Sequence, residues 1–161
     1  MHECCGVFGV YAPNEDVARL TFFALFALQH RGQESAGIAT TDGKRLQVYA
    51  NMGLVSQVFN EDSLSQLTGD IAIGHNRYST KGSSRVINAQ PIIVGRGSNS
   101  IAIAHNGNII NAEHLREELS GLGYAFHTST DTEVIANLII SSPEKGWVEK
   151  IRYAMHRLQG G

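Results

Sequence analysis

The chain has 161 residues, of which 42% are apolar and 17% charged, and its formal net charge is -2. This length and composition fit one soluble globular domain with its own core, not a disordered chain. The basic residues are scattered, so nothing indicates a nucleic-acid-binding or anionic-membrane surface. The longest apolar stretch, residues 17–28, is too short to cross a bilayer. No secretory leader is recognisable, and the sequence predicts a cytoplasmic location.

The first predicted elements are a strand and a helix. The run from Cys5 to Tyr11 is β-prone, and it begins almost at the first residue. Asn14-Glu15-Asp16 then offers caps for a helix over residues 17–29, which Gly32 is expected to end. That helix is apolar on nearly every face, so we expect it to be deeply buried.

Further short β-prone runs and four helical segments complete the pattern. Strands are predicted at residues 35–41, 46–51, 71–74, 90–94 and 100–105. The first two of these strands are joined by a turn containing Asp42-Gly43, which is a hairpin signal. A weak helix is predicted at residues 55–67, a helix capped by Asn111 after it, another opening at Thr130 or Asp131, and an amphipathic one at residues 147–158. Hairpins first and helices later indicate an α+β layered domain. The last helix leads into Gln159-Gly160-Gly161, so we expect the chain to stop within a domain.

Cys5 is the first candidate for chemistry. Cys4 and Cys5 are the two cysteines of the chain, and neighbouring cysteines form only a strained bond that would staple nothing. If residues 1–4 were removed, Cys5 would carry a free α-amine with a pKa of about 7.7–8.0. Such an amine can accept the thiol proton, as in N-terminal nucleophile enzymes. The alternative is a small buried apolar cysteine.

Three polar stretches offer further candidates. Asn106 and Gly107 follow an apolar strand and supply the amide and backbone N–H donors that an oxyanion hole uses, although an ordinary Asn-Gly turn has the same residues. Arg77 could grip a carboxylate with two N–H groups or be a structurally paired arginine. Asp131 could bind an ammonium or simply open a helix.

Two other kinds of site are excluded by spacing. The glycines at residues 37–43, followed by Lys44-Arg45, do not have the spacing of a phosphate-binding loop. The seven histidines show neither the four-residue metal spacing nor a nearby cysteine cluster, so no metal site is predicted.

The order of the motifs is more specific than any one of them. The stretches CGVFG, LQHRGQESAG, HNRYST, HNGN and TDTE occur at residues 5–9, 28–37, 75–80, 105–108 and 130–133. In this order they resemble the class II glutamine amidotransferases, over essentially the whole chain. The motifs HRGQESAG and RYST are most similar to those of the amidophosphoribosyltransferase branch. Other branches share the leading Cys-Gly and differ at the later motifs.

The resemblance implies an N-terminal nucleophile fold, an αββα sandwich of two antiparallel sheets between helix layers, truncated at its C-terminal side. It implies a leader at residues 1–4 that is removed and an incomplete glutaminase domain at 5–161. It also implies roles for individual residues. These are Cys5 as nucleophile with its freed amine as base, Asn106 and Gly107 as oxyanion hole, Arg77, Thr80 and Asp131 as glutamine contacts, and Arg31 and Tyr78 as structural support.

The implied reaction is glutamine hydrolysis to glutamate and ammonia. In the full protein the ammonia would pass to phosphoribosyl pyrophosphate to give 5-phosphoribosylamine, the first step of purine synthesis. Glutamine, a phosphoribosyltransferase domain and further copies in a homo-oligomer are the implied partners, with no nucleic acid or membrane. No metal or cofactor is implied in this segment. The resemblance places magnesium in the part of the full protein that this sequence does not contain, and it leaves open whether that part also holds an iron–sulfur cluster.

Three alternatives remain open at this point. An unprocessed or truncated piece would bind glutamine without turning it over, and intact mass distinguishes it because processing removes four residues. The chain could also be the glutaminase domain of another class II amidotransferase, or an N-terminal nucleophile hydrolase acting on a different amide. Arg77 and Asp131 argue against the last alternative, because together they match the two charged ends of a free amino acid.

Overall fold

The computed structural model describes residues 5–78 and 85–161. The predicted leader, residues 1–4, and the predicted glutamine contact Thr80 lie outside the described residues. The strands are β1 (Gly6–Tyr11), β2 (Ser35–Thr41), β3 (Leu46–Met52), β4 (Ile71–Arg77), β5 (Ile92–Arg96) and β6 (Asn99–Ile103). The helices are α1 (Val17–Ala27), α2 (Val55–Val58), α3 (Glu61–Ser65), α4 (Ala112–Gly121), α5 (Asp131–Ile140) and α6 (Trp147–Arg157). Short 3-10 helices lie at Gln29–Arg31 and Val86–Asn88.

The strands form two antiparallel sheets. The larger sheet has the order β1-β4-β2-β3, and the smaller one is the β5-β6 hairpin. In the larger sheet β4 is central, with Asn76 opposite Gly6 of β1 and Arg77 opposite Ser35 of β2. The register therefore places the end of β4 next to Cys5, which immediately precedes β1.

The two sheets are covered by helices on their outer sides. Helix α1 packs on β1, β2 and β4, whereas α5 packs on β5 and β6 and is covered in turn by α4 and α6. One apolar core, which includes Leu25 and Ile38, lies between α1 and the larger sheet. A second core, which includes Leu119 and Leu138, joins α4, α5 and α6. The predicted α+β sandwich of two antiparallel sheets between helices is confirmed.

Gly74 determines how closely α1 approaches the larger sheet. A Cβ at this position in β4 would lie 2.5 Å from Thr21 Cγ2 and 2.9 Å from Leu25 Cδ1. Both of these α1 residues are fully buried. The absence of a side chain at Gly74 thus lets the helix pack directly on the strand that leads to Arg77.

The prediction that the first helix is deeply buried was wrong. Thr21 and Leu25 are 0% exposed, but Phe23 is 61% and Phe26 55% exposed. The helix lies on one side of a sheet, so only one of its apolar faces is covered. It also ends at Ala27, and a 3-10 turn continues the chain to Gly32.

Asn111 occupies the predicted position at the start of α4, but its side chain does not cap that helix. Its amide donates to the Arg157 carbonyl at 2.9 Å and its oxygen accepts the Gln159 N–H at 2.9 Å. Gly160 forms a β-bridge with Ile109. Asn111 therefore fastens the chain after α6 to the segment that follows β6.

The last helix, α6, was predicted to be amphipathic. Three residues of its apolar face, Trp147, Ile151 and Met155, are exposed in the structure. In the ranges 5–78 and 85–161, no helix is both long and apolar enough to cross a membrane.

Candidate active site

Cys5 lies at the entrance to β1, beside the end of β4. Its Sγ accepts a hydrogen bond from the Tyr78 N–H at 3.3 Å and faces the Tyr78 carbonyl at 3.6 Å. A thiol can donate to that carbonyl, and a thiolate can accept from that N–H. The backbone of Tyr78 thus contacts the sulfur in a manner suited to either protonation state.

The backbone carbonyl of Cys5 is held by two side chains from distant parts of the sequence. Arg31 Nε donates to it at 3.3 Å, and Asn106 Nδ2 donates to it at 2.7 Å. Asn106 lies in the exposed turn that follows β6, the last strand of the smaller sheet. The two sheets therefore meet at Cys5, with an amide donor beside the thiol-bearing residue.

Arg77 ends β4 and is only 9% exposed. Its Nη1 donates to the Asn88 carbonyl at 3.4 Å. A guanidinium has five N–H donors, so this contact orients Arg77 and leaves donors for a ligand carboxylate.

Asp131 is the first residue of α5, and the side chain of Thr130 caps that helix. One oxygen of the Asp131 carboxylate accepts the Ile109 N–H at 3.0 Å, and the other lies 3.7 Å from His105 Nδ1. Burial raises the pKa of Asp131, but the contacts with His105 and the Ile109 N–H outweigh it and hold the pKa below the ordinary value. Asp131 is therefore a carboxylate at neutral pH, available to a cation.

His75 lies in the interior of the larger sheet, two residues before Arg77. It is fully buried, and neither ring nitrogen has a hydrogen-bond partner among the described residues. Burial is the main cause that lowers its pKa to about 4. The nearby backbone of His105 raises the pKa in part, and the positive charge of Arg77 lowers it further. The imidazole is therefore neutral under physiological conditions.

Cys5, Arg31, Tyr78 and Asn106 are thus brought into direct contact, and Gly107 follows Asn106 in the same exposed turn. Arg77 and Asp131 do not touch each other in the described structure, but they are joined through other residues. The roles assigned to these residues stay predictions, and Thr80 lies outside the described residues.

The sequence analysis missed the residues that join these parts. Asn88 bonds to Arg77 and to Ser129, Gln90 bonds to His105, and His105 lies against Asp131. The available signal was the pair of amide side chains, Asn88 and Gln90, next to an apolar strand-like run. Within the described ranges, no three His, Cys, Asp or Glu side chains are grouped so as to hold a metal.

Comparisons with known proteins identify the relatives of this fold and site. Residues 75–161 match the glutamine amidotransferase domain family. An amidophosphoribosyltransferase from Synechococcus elongatus is 51% identical over 160 residues, which cover 98% of this chain and 32% of that protein. The Bacillus subtilis glutamine phosphoribosylpyrophosphate amidotransferase, solved with ADP and GMP, has a TM-score of 0.86 and 40% identity over 98% of this chain and 33% of its own. A structure described as the allosteric regulatory enzyme of purine biosynthesis has a TM-score of 0.89 and 42% identity over 98% of this chain and 34% of its own. The chain spans about a third of the length of these relatives.

Proposed function

This chain belongs to the glutamine amidotransferase domain family, and from that membership we propose that it hydrolyses glutamine to glutamate and ammonia, with Cys5 as nucleophile. The observation that supports this proposal most directly is the convergence on Cys5 of the Tyr78 N–H at the sulfur and the Asn106 amide at the carbonyl. Amide hydrolysis through a thioester needs a nucleophile and a preorganised donor for the developing oxyanion.

In the proposed reaction, the α-amine of Cys5 acts once residues 1–4 have been removed. It takes the thiol proton, and the resulting thiolate attacks the side-chain amide carbon of glutamine. The carbonyl oxygen becomes an oxyanion, which the Asn106 amide and the Gly107 N–H stabilise. The ammonium formed on Cys5 returns its proton to the departing nitrogen, and ammonia leaves. Water then attacks the thioester, which releases glutamate and restores the thiol.

Arg77 and Asp131 are proposed to recognise the part of glutamine that does not react. A free amino acid carries a carboxylate and an ammonium on one carbon, and a selective site must satisfy both charges. The buried guanidinium of Arg77 suits the carboxylate, and the ionised carboxylate of Asp131 suits the ammonium. We include Thr80 as a further contact because it lies in the same motif as Arg77.

The ammonia is proposed to pass to phosphoribosyl pyrophosphate in a longer protein, in which this domain accompanies a phosphoribosyltransferase domain and assembles as a homo-oligomer. The supporting observation is that the relative from Synechococcus elongatus is an amidophosphoribosyltransferase of which this chain spans 32%. The Bacillus subtilis relative is named for phosphoribosylpyrophosphate. Such a pairing would make 5-phosphoribosylamine for purine synthesis.

The test of the glutaminase proposal compares Cys5→Ala with Cys4→Ala in the full-length protein. Cys5→Ala should abolish glutamate release from glutamine and labelling by a glutamine-like electrophile, because the attacking sulfur is gone. Cys4→Ala is the matched control and should keep both, since it removes a neighbouring thiol that the mechanism does not use. Peptide mass spectrometry locates the label, and labelling confined to Cys4 would refute the assignment.

A further inference from the structure

A buried polar segment runs between the two sheets of the sandwich. It comprises residues 88–91, which begin at the end of a 3-10 helix and lead into β5. Asn88 is 1% and Gln90 7% exposed, so two amide side chains lie in the interior. Buried amides are costly unless hydrogen-bonded, and the partners of these two therefore show what the segment organises.

Gln90 anchors the segment to both sheets. Its Oε1 accepts the backbone N–H of His105 at 2.7 Å, just after β6. Its backbone carbonyl lies so close to Gly37 of β2 that a Cβ there would be 2.1 Å from the oxygen. The contacts of Gln90 thus hold the segment against both sheets.

Asn88 connects the two parts of the candidate recognition site. Its carbonyl accepts the hydrogen bond from Arg77 Nη1 at 3.4 Å. Its side chain bonds to Ser129, donating from Nδ2 to Oγ at 3.1 Å and accepting the Ser129 N–H on Oδ1 at 3.2 Å. Ser129 lies two residues before Asp131, in the loop that leads into α5. One residue therefore contacts Arg77 and also holds the loop that carries Asp131.

We propose that Asn88 is a positioning residue that sets the separation between Arg77 and Asp131, and so the fit of the α-carboxylate and α-ammonium of an amino-acid substrate. This inference rests on the proposed glutaminase function. The two charges of the substrate sit on one carbon at a fixed spacing, so the groups that bind them need an equally fixed spacing. Arg77 ends a strand of the larger sheet, and Asp131 begins a helix that packs on the smaller sheet. The Asn88–Ser129 bonds join these two parts.

The role of Asn88 predicts a defect in substrate binding rather than in chemistry. Asn88→Ala removes every side-chain hydrogen bond from Asn88 to Ser129 but keeps the backbone carbonyl that accepts from Arg77. The loop with Asp131 then loses its connection to the Arg77 side of the site, although Arg116 still holds the loop by the carbonyls of Thr128 and Thr130. The KM for glutamine should rise about tenfold, the usual effect of one or two buried hydrogen bonds. The kcat should change much less, because Cys5 and Asn106 keep their contacts. Labelling of Cys5 by iodoacetamide, which needs no amino-acid recognition, should proceed at the wild-type rate.

Ser129→Ala tests the same contact from the other side. It removes only the hydroxyl, and the Ser129 N–H can still reach Asn88, so its KM should rise less than that of Asn88→Ala. The double variant should have the KM of Asn88→Ala alone, because both changes remove one shared contact. If Asn88→Ala does not fold, the KM rise in Ser129→Ala decides the question. A multiplicative effect in the double variant would overturn the proposal.

Two control variants separate positioning from general destabilisation. Asn137→Ala and Ser142→Ala also remove a buried asparagine and a buried serine side chain, at sites outside the segment. They should lower the melting temperature without raising KM. The steady-state measurement uses the full-length protein and follows glutamate release. Wild-type protein that releases no glutamate refutes the glutaminase proposal itself. Active wild type with an unchanged KM in both Asn88→Ala and Ser129→Ala refutes only the role of Asn88.

Discussion

At the scale of single residues, Asn106 is the clearest test of the proposed chemistry. It donates to the Cys5 carbonyl in the structure, and in the mechanism it serves an oxyanion that exists only in the transition state. Asn106→Ala should therefore lower kcat by about 10²–10³-fold, with a smaller change in KM. Steady-state glutaminase kinetics measure this, with circular dichroism as the check on folding. An unchanged kcat in a folded variant would remove Asn106 from the mechanism.

Arg77 and Asp131 should respond differently from Asn106, because they are proposed to hold parts of glutamine that do not react. Arg77→Lys replaces a planar donor fork by a single ammonium, and Asp131→Asn removes the charge that faces the substrate ammonium. Both variants should raise KM strongly and lower kcat as well, since a misplaced amide is poorly oriented for attack. The measurement is glutaminase kinetics together with the melting temperature. A normal KM in both variants would refute the recognition site.

The sequence motifs identified the side chains of the candidate site, but not the contacts that position them. Cys5, Arg77, Asn106 and Asp131 were singled out because their residue types suit the chemistry and their order resembles a family. The bond from Asn88 to Ser129 spans 41 positions, and that from Gln90 to His105 spans 15. Neither leaves a local periodicity, so only the packed structure reveals them.

At the scale of secondary structure, the local signals predicted the elements better than their surroundings. The strands β2 and β3 and their hairpin were predicted almost to the residue, because alternation and an Asp-Gly turn are local properties. The predicted deep burial of α1 was wrong because the exposure of a helix depends on which other elements cover it. The side chain of Asn111 bonds to the chain after α6, a tertiary contact that competes with its local preference for capping.

The contact between β2 and the buried segment makes Gly37 sensitive to substitution. Gly37→Ala would place a methyl group 2.1 Å from the Gln90 carbonyl oxygen, which is backbone and cannot move aside cheaply. The variant should lose about 1–3 kcal/mol of unfolding free energy. Gly121→Ala is the matched control, because its Cβ meets no atom within 4 Å and alanine favours the helix by up to about 1 kcal/mol. Thermal unfolding of both variants provides the measurement, and equal melting temperatures would contradict the prediction.

At the scale of the whole molecule, the candidate site lies where the two halves of the sandwich meet. One half supplies Cys5, just before the larger sheet, and Arg77, at the end of β4, whereas the chain beyond the smaller sheet supplies Asn106 and Asp131. The comparisons confirm the predicted family and the predicted α+β sandwich. The site therefore depends on the docking of two layers that fold around separate apolar cores.

His75 should make the stability of the whole domain depend on pH. Its pKa is about 4 in the folded protein against 6.5 as the ordinary value, so the unfolded chain binds the extra proton between these pH values. Stability should be complete above pH 6.5 and fall as the pH drops from 6.5 to 4, by about 3 kcal/mol in total. His75→Gln should flatten this dependence, whereas His156→Gln, at an exposed position, should keep it. Urea unfolding at a series of pH values measures the slope, and an unchanged slope in His75→Gln would exclude this source.

The hydrogen bond between Asn106 and the Cys5 carbonyl has a consequence for ligand selectivity. One N–H of this amide already has an acceptor at 2.7 Å, so the second N–H is the one that can serve an incoming oxygen. This N–H bonds a neutral amide oxygen only modestly, but a negatively charged oxygen is a much stronger acceptor. Because the internal contact fixes the direction of the second N–H, the site favours ligands that carry a negative charge on the oxygen placed there. Tetrahedral anionic mimics should bind the site far more tightly than planar glutamine analogues of the same size.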